Sequence, residues 1–278
     1  MPVNYENRPK KRLALREILS NAQGYIQNKF VYITLSSSEI LDVNILLELV
    51  QEDQITKIFA YEKDEERAIQ AANSEVAKKF EGRIKIINSE FPESLDDELA
   101  GFSDIQKVVF FDGEEWFCDK KNSKTRTEFE KLLKTNVLGH NDIYLITSCM
   151  AERAWHTIEN QQLEYYNYYY AKTASNINLQ TQEELKNMLI DNVVDLNVEL
   201  AIRKCNASSE KAWEKERISA IRLGKIKYND LRHGNMALLG FRFIKTTTAP
   251  KALDIPFDYE KKYISSSKIE NIFDSLSK

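Results

Sequence analysis

The chain has 278 residues, of which 42% are apolar and 29% charged, and its formal net charge is −4. This length buries a sizeable core, and the charge balance excludes a protein that grips nucleic acid through its overall charge. No apolar run approaches the roughly 20 residues that cross a bilayer, so no membrane partner is expected.

Residues 1–19 are basic but lack an apolar core or a small-residue cleavage site. No signal peptide is expected there, and the cytoplasm is the expected compartment. Residues 11–28 (KRLALREILSNAQGYIQN) carry apolar side chains at helical spacing and predict a leading helix. The run FVYITL at 30–35 is short, β-branched and aromatic, and predicts a buried strand. Residues 38–53 predict a helix with a stripe of Ile40, Val43, Leu46 and Leu47, for which Ser38 is the N-cap candidate. The cycle then repeats. Strands are expected at KIFAYE, RIKIIN, KVVFFD and DIYLITS, with helices at DEERAIQAANSEVAKKF, PESLDDELAGF and KTRTEFEKLLKTNVL between them.

Five apolar strands separated by helices predict a parallel sheet covered on both faces. Ligands of such sheets sit beyond the carboxyl ends of the strands. The residues to examine are therefore Ser36, Ser37, Ser38, Glu62, Asn88, Ser89, Glu90, the segment 112–116, and Thr147 to Cys149.

After Cys149 the alternation stops. Residues 150–220 read as helical, with the aromatic run EYYNYYY and the periodic segment EELKNMLIDNVVDLNVELAIRK. Residues 219–246 then read as two strands around the turn NDLRHGN, an antiparallel hairpin. The expected division is a core at 1–149, a helical insertion at 150–220, a hairpin completing the sheet at 221–248 and a polar tail at 249–278.

Five βα units closed by an antiparallel hairpin resemble the Rossmann-like fold of the class I S-adenosylmethionine-dependent methyltransferases. The expected fold class is α/β, a mostly parallel sheet with a C-terminal antiparallel hairpin and a helical insertion. The resemblance covers 29–148 and resumes at about 218–246. It implies S-adenosylmethionine, or a related adenine nucleoside, as cofactor. It places Ser36, Ser37 and Ser38 beneath the methionine part, Glu62 at the ribose hydroxyls and Asn88 and Ser89 beside the adenine. Asp112 becomes the acid on the substrate side, the candidate catalytic residue.

Each position also has a plainer reading. Glu62 can be a solvated strand-end carboxylate, Asn88 a turn residue and Asp112 the start of a turn. The family's loop after the first strand is glycine-rich, because glycine permits positive φ and close backbone approach. Three serines stand here instead. The loss bears on the activity more than on the fold, so a non-catalytic partner subunit docking through the insertion is the alternative.

Cys118, Cys149 and Cys205 are scattered, as are His140, His156 and His233, and no C-x-x-C occurs, so no metal is expected. Charge is unevenly spread. Residues 203–251 hold 12 Lys and Arg against 4 acids, a net of +8, while residues 1–149 hold 20 basic and 26 acidic side chains. A nucleic-acid interface on the basic 203–251 region is a third possibility.

Overall fold

The structure is a computed structural model that describes residues 9–35, 38–112, 124–135, 137–149, 217–230 and 234–246. It also describes helical positions 194, 195, 197, 198, 201, 202, 205 and 206. Most of the expected insertion and all of the expected tail lie outside these residues.

Seven strands form one sheet: β1 (Phe30–Leu35), β2 (Ile55–Tyr61), β3 (Ile84–Ile87), β4 (Gln106–Phe111), β5 (Ile143–Cys149), β6 (Arg217–Asp230) and β7 (Gly234–Thr246). Their order is β3-β2-β1-β4-β5-β7-β6. The first five are parallel, while β7 runs antiparallel to both β5 and β6. The five expected strands do share one sheet, and the expected hairpin closes it.

The central strands are buried along their whole length. Every residue of β4 and β5 is buried, as are Phe30 to Thr34 of β1. Alternate side chains enter two cores. Val31, Ile33, Val109, Phe111, Tyr144 and Ile146 meet α5 (Leu95–Leu99), α6 (Lys124–Lys134) and Val194, Val198, Ala201 and Ile202. Phe30, Tyr32, Val108, Phe110 and Leu145 meet α1 (Pro9–Ala22), α2 (Leu41–Leu47) and the pair α3 (Glu65–Ala72) and α4 (Glu75–Lys79).

The helix expected at 64–80 is two helices, α3 (Glu65–Ala72) and α4 (Glu75–Lys79). Local hydrogen bonds make the break. Asn73 Nδ2 donates to the Ile69 carbonyl at 2.8 Å and closes α3, while Ser74 Oγ accepts from Ala77 N at 3.1 Å and caps α4. A cap residue inside a continuing apolar period restarts the helix.

Helix α1 runs against the direction of β4, past its whole length. Its start lies at the carboxyl end of β4, where Lys11 is bonded to Asp112. The chain beyond it lies at the other end, where Gln106 Nε2 donates to the Tyr25 carbonyl at 2.9 Å. Fourteen helical residues span about 21 Å and six strand residues about 20 Å, so the two match.

The helix settles onto the hairpin at two glycines. A Cβ on Gly240 would stand 3.0 Å from Ile18 Cγ1 and 3.1 Å from Leu145 Cδ2, both inside the core. On Gly224 it would stand 2.7 Å from Ile18 Cδ1, also inside the core, and 2.8 Å from Nδ2 of Asn21, whose exposed side chain can swing aside. Gly240→Ala and Gly224→Ala are therefore each expected to destabilise the fold by about 1–3 kcal/mol, the usual range for overpacking. Urea melts of both variants check this; midpoints equal to that of the natural chain would mean that α1 is not seated on the hairpin as described.

Candidate functional site

Register brings the predicted positions together along one edge. Leu35 pairs with Tyr61, and Tyr61 with Ile87. Leu35 at the end of β1, Glu62 just after β2 and Asn88 just after β3 therefore stand at the ends of three adjacent, paired strands. On the other side of β1, Phe111 pairs with Ile146, which sets Asp112 beside Thr147.

Glu62 is half-buried. Its Oε1 accepts from Asp64 N at 3.0 Å, and Asn88 Nδ2 donates to the Glu62 carbonyl at 2.9 Å. Oε2 has no hydrogen-bond partner among the described residues. Asn88 is exposed and Ser89 half-buried, its Oγ within 3.2 Å of the Glu90 carbonyl and 3.3 Å of Glu93 Oε2. The turn role of Asn88 and an open carboxylate at Glu62 thus coexist.

Ser36 and Ser37 lie outside the described residues; Ser38 is half-buried. The helix cap expected at Ser38 does not form. Helix α2 begins at Leu41, its N-cap is Ile40, and no side chain caps it. Ile40 has φ 52° and ψ 43°, the left-handed region where glycine is at ease. A left-handed L-residue costs about 1–2 kcal/mol, while burying an isoleucine contributes about 1.5–3 kcal/mol. Ile40 is fully buried beside Tyr32 and Val43, so burial outweighs the strain. This is how a turn without glycine can still be made.

Asp112 is the meeting point of three elements. Lys11 of α1 donates to Oδ2, and Thr147 Oγ1 of β5 donates to Oδ1 at 2.7 Å. The side chains of Lys11 and Asp112 are 4% and 15% exposed. Next to them Tyr32 Oη donates to Asp42 Oδ2 at 2.8 Å, both groups buried. The sequence named Asp112 and Thr147 but missed Lys11, Tyr32 and Asp42. An acid in the first turn of a helix is explained by the dipole, which hid Asp42. A tyrosine amid apolar strand residues was the available signal.

Burial raises the Asp42 carboxyl to about 6, opposed by the Tyr32 hydroxyl and aided by the negative charge of Asp112. The folded chain then holds this proton more tightly than the unfolded one. Stability from this group falls as pH rises from about 4 to about 6, and the full cost applies above. The stability gap between Asp42→Asn and the natural chain is expected to shift in the variant's favour by about 2.4 kcal/mol between pH 4 and pH 7.5. Denaturant melts across that range check it; a constant gap contradicts it.

Much of the basic hairpin is committed internally. A bulge between Arg222 and Gly224 lets Arg222 and Lys225, three residues apart, share one face of β6. Both reach the fully buried Asp195, at 3.2 and 3.5 Å. Arg242 donates to Asn141 Oδ1 and stacks 4.9 Å over the Tyr25 ring. Cys149 is a packed thiol, 2% exposed. Among the described residues no group of three His, Cys, Asp or Glu gathers as a metal site, and no helix is long and apolar enough to cross a membrane.

No protein-family model matches the sequence, and no curated protein matches it. Solved structures align with most of the chain, at low identity and with TM-scores under 0.5. An O-methyltransferase from Bacillus cereus in complex with SAH is 10% identical, with 87% of this chain and 92% of that one covered, at a TM-score of 0.42. The precorrin-6y C5,15-methyltransferase from Geobacter metallireducens is 10% identical over 84% and 87%, at 0.40. A tRNA methyltransferase from B. subtilis is 9% identical over 82% of this chain and 64% of its own, at 0.40. The strand order and the antiparallel β7 described above are those the methyltransferase-like fold class leads one to expect.

Proposed function

We propose that the chain binds S-adenosylmethionine or a related adenine nucleoside at the carboxyl edge of β1, β2 and β3. One observation supports this most: the Glu62 carboxylate stands at the end of β2 with Oε2 unpartnered among the described residues, beside the end of β1 at Leu35 and Asn88 after β3. A carboxylate oxygen free to accept two hydroxyl hydrogen bonds suits a ribose diol. Asn88 and Ser89 would lie beside the base, and the Ser36 to Ser38 turn under the methionine part. When bound, S-adenosylmethionine would supply an activated methyl group. Asp112 would face the acceptor. With an ammonium and a hydroxyl donating to its two oxygens, it would act as a fixed negative end that orients a substrate rather than as a mobile proton acceptor.

One observation favours a second reading, a non-catalytic partner subunit that keeps the fold. The turn after β1 has no glycine, and its left-handed position is filled by a buried isoleucine. A chain under no demand to bring backbone close to a ligand tolerates that. In this reading the partner would dock on the helical insertion.

Glu62→Gln tests the choice. Glutamine keeps the acceptor for Asp64 N and removes the charge at Oε2. Hydrogen bonds to a charged group contribute about 1.5–3 kcal/mol, so calorimetric affinity for S-adenosylhomocysteine is expected to fall roughly tenfold or more. The melting temperature should be unchanged. Equal affinity removes the ribose assignment, and no binding by the natural chain favours the partner-subunit reading.

A further inference from the structure

Glu62 is held by two different elements. Its main chain belongs to the sheet: Glu62 N donates to the Ile87 carbonyl at 3.0 Å, and its own carbonyl accepts from Asn88 Nδ2 at 2.9 Å. Its side chain is held from the other direction. Oε1 accepts from the amide of Asp64 at 3.0 Å, two residues further along the chain.

That amide is itself fixed by the start of α3. Asp64 is the N-cap of the helix, with extended backbone at φ −83° and ψ 119°. Its Oδ1 accepts from Arg67 N at 3.0 Å, and its carbonyl accepts from Ala68 N at 2.9 Å. A cap of this kind sets the backbone of the residue that carries it. Two hydrogen bonds in series, Arg67 N to Asp64 Oδ1 and Asp64 N to Glu62 Oε1, therefore link the first turn of α3 to the Glu62 carboxylate. They occupy one carboxylate oxygen and leave Oε2 without a partner among the described residues.

A glutamate side chain has several rotatable bonds, and ordering it on binding costs affinity. A carboxylate already fixed by its neighbours avoids that cost. We propose that Asp64 is a positioning residue for the nucleoside site: by capping α3 it aims its own amide at Glu62 and presets the carboxylate for a ribose diol. The inference rests on the nucleoside-binding reading above, and adds a residue that acts through Glu62 without touching the ligand. The role uses the cap and not the charge of Asp64. Asparagine caps a helix as well as aspartate does, so Asp64→Asn keeps the role and Asp64→Ala removes it.

The test is calorimetric titration of the full chain with S-adenosylhomocysteine, with thermal melts alongside. Asp64→Ala, Asp64→Asn and Ser74→Ala are compared with the natural chain. Ser74 caps α4 by the same kind of bond, accepting from Ala77 N at 3.1 Å, and is not bonded to Glu62. Positioning requires Asp64→Ala to bind about three- to tenfold more weakly. It also requires Asp64→Asn to bind like the natural chain, and Ser74→Ala to lose stability without losing affinity. Unchanged affinity in Asp64→Ala overturns the proposal. An equal loss in Asp64→Asn overturns it too, since the charge would then carry the effect. So does an equal loss in Ser74→Ala, which would assign the effect to general destabilisation. In each of these cases the natural chain still binds and the nucleoside reading stands. Absence of binding by the natural chain overturns both.

Discussion

Burial of β4 and β5 from end to end, and of β1 up to Thr34, is the constraint on which the rest of the molecule depends. Parallel strands carry crossover helices on both faces, so neither face of the central sheet has room for a polar ligand. Polar groups that need partners gather where the strands stop. That is where Glu62, Asn88, Asp112 and Thr147 stand. Asp42 and Tyr32 lie one layer deeper and satisfy each other. The functional edge follows from the same packing that makes the core.

The strands were legible because a doubly buried strand is a continuous apolar run, bounded by polar residues at both ends. FVYITL gave β1 with both bounds, and the other four parallel strands differ from expectation by at most two residues at an end. Helix boundaries were less legible. The apolar period of residues 64–80 runs through Asn73 and Ser74, and only the pair of side-chain bonds they make shows that the helix restarts. Ser38 looked like a cap by residue type. The turn instead uses a left-handed Ile40, a choice governed by what that side chain can bury.

At the edge, the residues found from sequence are those that directly follow a strand. Lys11 could not be found that way, since it is 101 positions from Asp112 and sits in a helix whose other buried residues are apolar. Its placement depends on α1 running against β4 and on Gly224 and Gly240 letting the helix approach the hairpin. A long-range pair of this kind is a product of topology, which local pattern does not encode. The same holds for Asp195, whose two cations reach it because a bulge turns them to one face.

The central claim is that a nucleoside is held at the carboxyl ends of β1, β2 and β3. The most direct test is a nuclear magnetic resonance titration of the isotope-labelled chain with S-adenosylhomocysteine, following backbone amides. The account predicts saturable shifts concentrated at Leu35, Glu62, Asn88 and Ser89, with the amides at the opposite end of the sheet, Gln106 and Ile143, unmoved. Saturable shifts elsewhere with these four residues unperturbed, or no shifts at all, would contradict it.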